Sequence, residues 1–96
     1  MPEYEMMCIF NPDLDEAGLE AQNDRLRTFI AGRGGEVTAV EPWGRRRLAY
    51  SIGGFRDGIY TITRFTMPTE ETTALDRSLK LNDAVVRHLI VRPDAD

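Results

Sequence analysis

The sequence predicts an α+β domain with the element order β-α-β-β-α-β, and two observations carry that expectation. Four intervals have strand length and strand composition: Tyr4 to Phe10, Glu36 to Ile52 with an interruption at Pro42-Trp43-Gly44, Ile59 to Met67, and Val85 to Val91. Two further intervals carry apolar residues at helical spacing, from about residue 16 to about 32 and again after Thr69. Each half therefore reads strand-helix-strand, the split βαβ arrangement. Right-handed crossovers put both helices on one face of a four-stranded antiparallel sheet and leave the other face open.

Strand one, YEMMCIF, is closed by Asn11-Pro12, because proline cannot continue a sheet interior. Met6, Cys8 and Phe10 alternate with Met7 and Ile9, so both parities are apolar, as in a central strand covered on both sides. Two helices can cover only one face of so small a sheet, so the parity of Met7 and Ile9 is left for a partner. Asp13 or Asp15 caps the first helix, Glu16 and Glu20 suit its positive N-terminal dipole, and Leu19, Leu26, Phe29 and Ile30 form its apolar stripe. Gly32, Gly34 and Gly35 stop it.

The second strand carries a bend or bulge at Pro42-Trp43-Gly44, or lies at an exposed edge, since proline there would cost a central strand a ladder bond. Beyond it Leu48, Tyr50 and Ile52 alternate with Arg47, Ala49 and Ser51. Residues 53–58 are read as a hairpin loop with Asp57-Gly58 as its strongest turn signal. The third strand ends at Pro68, Thr69 caps the second helix, and Leu75 and Leu79, with Ala74 and Leu81 beside them, are its buried face. Asn82-Asp83 turns the chain into the fourth strand. Residues 1–92 are expected to form one domain and 93–96 a short polar tail.

The composition, 42% apolar and 29% charged, is that of a compact globular chain. No apolar run approaches the roughly 20 residues that span a bilayer, and no secretory leader is evident, so a cytoplasmic protein is expected. The single cysteine, Cys8, excludes an internal disulfide, an iron–sulfur site and a multi-cysteine metal site, and reads as core. His88 has no neighbouring Cys or His to form a nucleophile or metal set, and helix capping accounts for Asp13, Asp15 and Glu16. With no catalytic constellation, neither enzymatic activity nor a cofactor nor a small-molecule substrate is expected.

What remains is basic charge on strands. The net charge is −4, yet it is divided unevenly: residues 1–41 hold nine acids against three arginines, whereas residues 42–96 hold seven acids against nine bases. Arg45, Arg46 and Arg47 form the only dense positive block. Three adjacent guanidiniums are almost never all buried, so the strand must present charge to something anionic. Arg87, His88 and Arg92 add a thinner basic line on strand four. Such residues suit phosphate contact or shape recognition of RNA, which positions a protein without reading bases. Tyr60 on strand three is a candidate for base stacking, although the strand lacks the glycine between aromatics found in the RNA recognition motif.

At Gly44-Arg45-Arg46-Arg47-Leu48-Ala49-Tyr50-Ser51-Ile52 the chain resembles the bacterial small-subunit ribosomal protein S six family. The likeness extends to Tyr4-Glu5, Asn11-Pro12 with Leu14-Asp15, Gly58-x-Tyr60, Met67-Pro68, Leu79 to Asn82, and Val86-Arg87. It implies a ferredoxin-like, non-enzymatic constituent of the small ribosomal subunit. Such a protein would bind the central domain of 16S rRNA together with the small basic ribosomal protein S eighteen. The resemblance points to Arg45, Arg46, Arg47, Arg87, His88 and Arg92 for RNA, and the open-face residues Met7, Ile9, Tyr60 and Ile62 are candidates for the protein interface. Pro2 and Glu3 replace residues that are often basic in the family, which argues against an N-terminal RNA contact, and the long acidic tail of some members has no counterpart here. The competing reading is a ferredoxin-like regulatory or ligand-sensing domain that dimerises through its open sheet face.

Overall fold

The computed structural model describes residues 1–93. The elements are β1 (Glu3–Phe10), α1 (Glu16–Gly32), β2 (Glu36–Ile52), β3 (Phe55–Thr66), a 3₁₀ turn (Thr69–Glu71), α2 (Thr72–Lys80) and β4 (Val85–Val91). The sheet order is β2-β3-β1-β4, and β1 runs antiparallel to both neighbours. This is the expected ferredoxin-like topology, with the doubly apolar β1 in the interior of the sheet and β2 and β4 at its edges. The polar tail predicted over 93–96 lies, from residue 94 on, outside the described residues.

The core lies between the sheet and the helices. Met6, Cys8 and Phe10 of β1 and Phe65 of β3 meet Leu26 and Ile30 of α1 and Leu75 and Leu79 of α2, all but fully buried. Asp15 caps α1: its carboxylate accepts from the Gly18 amide at 2.7 Å. The helix ends in a Schellman arrangement, with the Gly35 amide donating to the Ile30 carbonyl, the Gly34 amide donating to the Ala31 carbonyl, and Gly34 at φ +85°. Asn82 fastens the other end of the layer, donating to Gln22 of α1 and accepting from the Ala84 amide.

Three local expectations are corrected. The β2–β3 turn is Gly53-Gly54, both at positive φ (+56° and +85°), so Phe55 to Gly58 belong to β3 and not to a loop. A glycine at 58 is required by packing: a Cβ there would sit 2.2 Å from Ile9 Cγ2. Thr69 does not cap α2. Its hydroxyl accepts from the Tyr4 phenol at 3.1 Å, and the chain enters the helix through a 3₁₀ turn. Leu81, expected beside Leu75 and Leu79, falls just past the end of α2 and is 76% exposed.

Candidate nucleic-acid interface

β2 and β3 outgrow the sheet. Pairing of β1 with β3 stops at Phe10 opposite Ile59, whereas the β2–β3 ladder continues from Arg46 opposite Gly58 to Ile52 opposite Phe55. The result is a two-stranded arm without a third strand beside it. Its charge is lopsided: residues 42–58 contain Arg45, Arg46, Arg47 and Arg56 against the single carboxylate of Asp57. A hairpin with so little neighbouring protein leaves its arginines in water, and all four are exposed.

The three consecutive arginines do not act as one face. β2 is bulged between Val37 and Ala39 and again between Pro42 and Gly44, where Gly44 takes φ +78°. After the second bulge Arg45 lies opposite Ile59 and Arg47 opposite Asp57, on the helix side, while Arg46 lies opposite Gly58 on the open side. Arg45 Nη2 donates to the Pro12 carbonyl at 2.7 Å and ties the base of the arm to the β1–α1 loop. The Arg46 guanidinium stands 5.3 Å from the centre of the Trp43 ring, and its Nε donates to the Trp43 carbonyl at 3.4 Å. Trp43 is itself held by a bond from its indole N–H to Glu41 at 3.0 Å and remains 48% exposed. Arg47 and Arg56 share a small cleft with Tyr50 and Ser51.

The arm also bends over the open sheet. Leu48 is buried against Gly58 and Ile9, and beyond it the β2–β3 register slips before Ile52. Tyr50 then reaches the opposite edge strand, where Arg87 Nη1 donates to its hydroxyl at 2.9 Å. A cleft of about 250 Å³ remains beneath, lined by Met7, Ile9, Tyr60 and Leu89 among others. Arg87 thus meets the arm at Tyr50, on the open side that Arg46 shares.

His88 and Arg92 do not join them. Alternation along β4 turns His88 to the helix side, where its Nε2 lies 2.6 Å from Asp76 Oδ1 on α2. Lys80 also reaches Asp76, at 3.0 Å, and the His88 bond followed by the Lys80 bond holds the Asp76 carboxyl below its ordinary value. Arg92 lines the same helix-side cleft, with Tyr4, Thr72 and Asp76. Of the four apolar candidates, Ile9 and Ile62 are buried and Met7 and Tyr60 half-buried. The exposed apolar side chains at this surface are Tyr50, Leu89 and Val91, at 64%, 55% and 41%. Sequence reasoning singled out only the basic residues of strand four, although alternation from Arg87 already placed Leu89 and Val91 on the face of an exposed arginine. Trp43 and Arg56 were also passed over; the one flanks the arginine block and the other lies across the hairpin from it.

Together these features define a ferredoxin-like domain whose open face is crossed by a cationic hairpin arm, and they contain no cluster of metal-ligating groups among the described residues. No helix there is long and apolar enough to cross a membrane. The family model described as Ribosomal protein S6 matches residues 3–92. Small ribosomal subunit protein bS6 of Symbiobacterium thermophilum is 47% identical over 97% of this chain and 98% of that protein. Its counterpart in Carboxydothermus hydrogenoformans is 41% identical over 96% of each. The crystal structure of 30S ribosomal protein S6 from Thermotoga maritima superposes with a TM-score of 0.88 at 28% identity, covering 95% of this chain and 86% of that one. The chain belongs to the ribosomal protein S6 family of the bacterial small ribosomal subunit.

Proposed function

We propose that residues 1–92 act as a single RNA-binding domain that contacts the central domain of 16S rRNA through the β2–β3 arm, in company with the basic ribosomal protein S eighteen, and without catalysis. The observation that carries this reading is the arm itself. Arg46, Arg47 and Arg56 project beyond the sheet against the one carboxylate of Asp57, Arg45 stands at the base, and Arg87 meets the arm at Tyr50. Arg46 and Arg47 on opposite sides of one strand are suited to two phosphates on either side of the arm, and Trp43 offers an exposed ring beside them. His88 is engaged on the helix side, so its part in this reading is to position β4 rather than to touch RNA.

A basic partner follows from the charge. Phosphate neutralisation supplies much of the affinity in such complexes, and a chain of net charge −4 starts at a disadvantage. The acidic first half attracts a cationic protein, and Leu89 and Val91 offer it apolar surface at the β4 edge. The test is filter binding of a central-domain rRNA fragment to the full chain, with and without S eighteen. Weak retention alone and strong retention with the partner are expected. Equally negligible retention in both cases would remove the reading.

A further inference from the structure

A second basic feature lies on the helix layer, away from the sheet face, and RNA binding through the arm makes no use of it. Between α1 and α2 runs a groove of about 610 Å³ lined by Arg25, Arg33 and Arg77 together with Phe29, Ala74 and Leu81. Glu70 is the one carboxylate on its lining. Arg33 is already engaged, 2.8 Å from Glu71 and stacked over Phe29 at 4.7 Å. Arg25 and Arg77 are exposed and have no carboxylate within ion-pair distance among the described residues. Leu81 projects just beyond α2 with most of its side chain in water.

Solvation alone explains an exposed arginine, and an isolated exposed leucine needs no explanation. Their combination in one groove is more specific: unpaired guanidiniums on an acidic protein, beside a half-buried phenylalanine and an uncovered leucine. A phosphate backbone would satisfy the cations and leave Leu81 and Ala74 uncovered. An amphipathic helix with acidic residues flanking an aliphatic one would satisfy both. We propose that the α1–α2 groove docks an acidic amphipathic helix of another protein, its carboxylates meeting Arg25 and Arg77 and its aliphatic residue covering Leu81. The arm and this groove lie on opposite layers of the domain, so the two contacts are independent.

The test titrates the isotope-labelled full chain with a synthetic helical peptide of about 15 residues, carrying leucines flanked by glutamates along one face, and follows backbone amide shifts. Shifts are expected at Arg25, Phe29, Thr73, Arg77 and Leu81, with binding that weakens as salt rises. The pair R25E and R77E should weaken binding about tenfold or more, and Leu81→Ser or a peptide with serine for leucine severalfold. If the double variant does not fold, the other two arms still decide. Shifts confined to the open sheet face, no shifts at all, or unchanged affinity for the serine peptide overturn the proposal. So does a uridine-rich RNA oligonucleotide that shifts the same amides at lower concentration than the peptide.

Discussion

Thr61 is buried to 1% exposure in the middle of β3, and its hydroxyl has no hydrogen-bond partner among the described residues. A buried hydroxyl without a partner costs about 1–3 kcal/mol, and valine has nearly the same shape without that cost. Thr61→Val is therefore expected to stabilise the chain by about 1 kcal/mol in urea unfolding; a lower midpoint would show that the hydroxyl is satisfied in solution. Cys8, in register with Thr61 on β1, is 2% exposed, and burial pushes its thiol up to about 12. The thiolate is the reactive form, so the folded protein should resist Ellman's reagent and react fully in denaturant. Rapid labelling of the folded chain would contradict this placement. The core character of Cys8 was legible from its place in an apolar alternation. The reason for Gly58 was not, because Asp-Gly signals a turn locally, and only the approach of Ile9 from another strand shows that the glycine is there for space.

At the level of elements, β4 is joined to α2 by His88 and Asp76, and this joint carries a pH dependence. The folded-state pKa of Asp76 lies below its ordinary value, so the unfolded chain takes up this proton first as pH falls. The stability it contributes is full above the usual carboxylate value near pH 4 and is lost as pH drops through the lower folded value. Asp76→Asn should thus be less stable than the parent at pH 7, with the difference shrinking below about pH 4 in urea titrations. A constant difference down to pH 2 would mean that the carboxylate charge is not what holds the joint. Element order and the limits of α1 could be read from period and caps, because each signal is local. The facing of the arginines could not. Each β2 bulge inserts one residue against β3 and exchanges the two faces, and nothing in the composition counts the insertions. The merging of Arg87 with His88 has a different origin: plain alternation, legible in the sequence, sends them to opposite sides of β4.

For the whole molecule, the prediction concerns salt. Each phosphate contact contributes roughly 0.7–0.9 to the slope of log affinity against log salt concentration. Arg45 is already tied to the Pro12 carbonyl, so the triple change of Arg45, Arg46 and Arg47 to alanine should lower the slope by about 1.4–1.8, the value for two contacts. An unchanged slope would place the RNA contact elsewhere. The Tyr50 to Arg87 bond bears on how the molecule is made. It joins the tip of a hairpin from the middle of the chain to the later-made β4, with β1 and β3 lying between them in the sheet. During translation the hairpin leaves the ribosome before β4, so its tip has no place to rest until Arg87 follows. Until β4 emerges Tyr50 lacks its partner, whereas Arg45 and Arg46 already have theirs in Pro12 and Trp43, so the arm is anchored at its base before it is anchored near its tip.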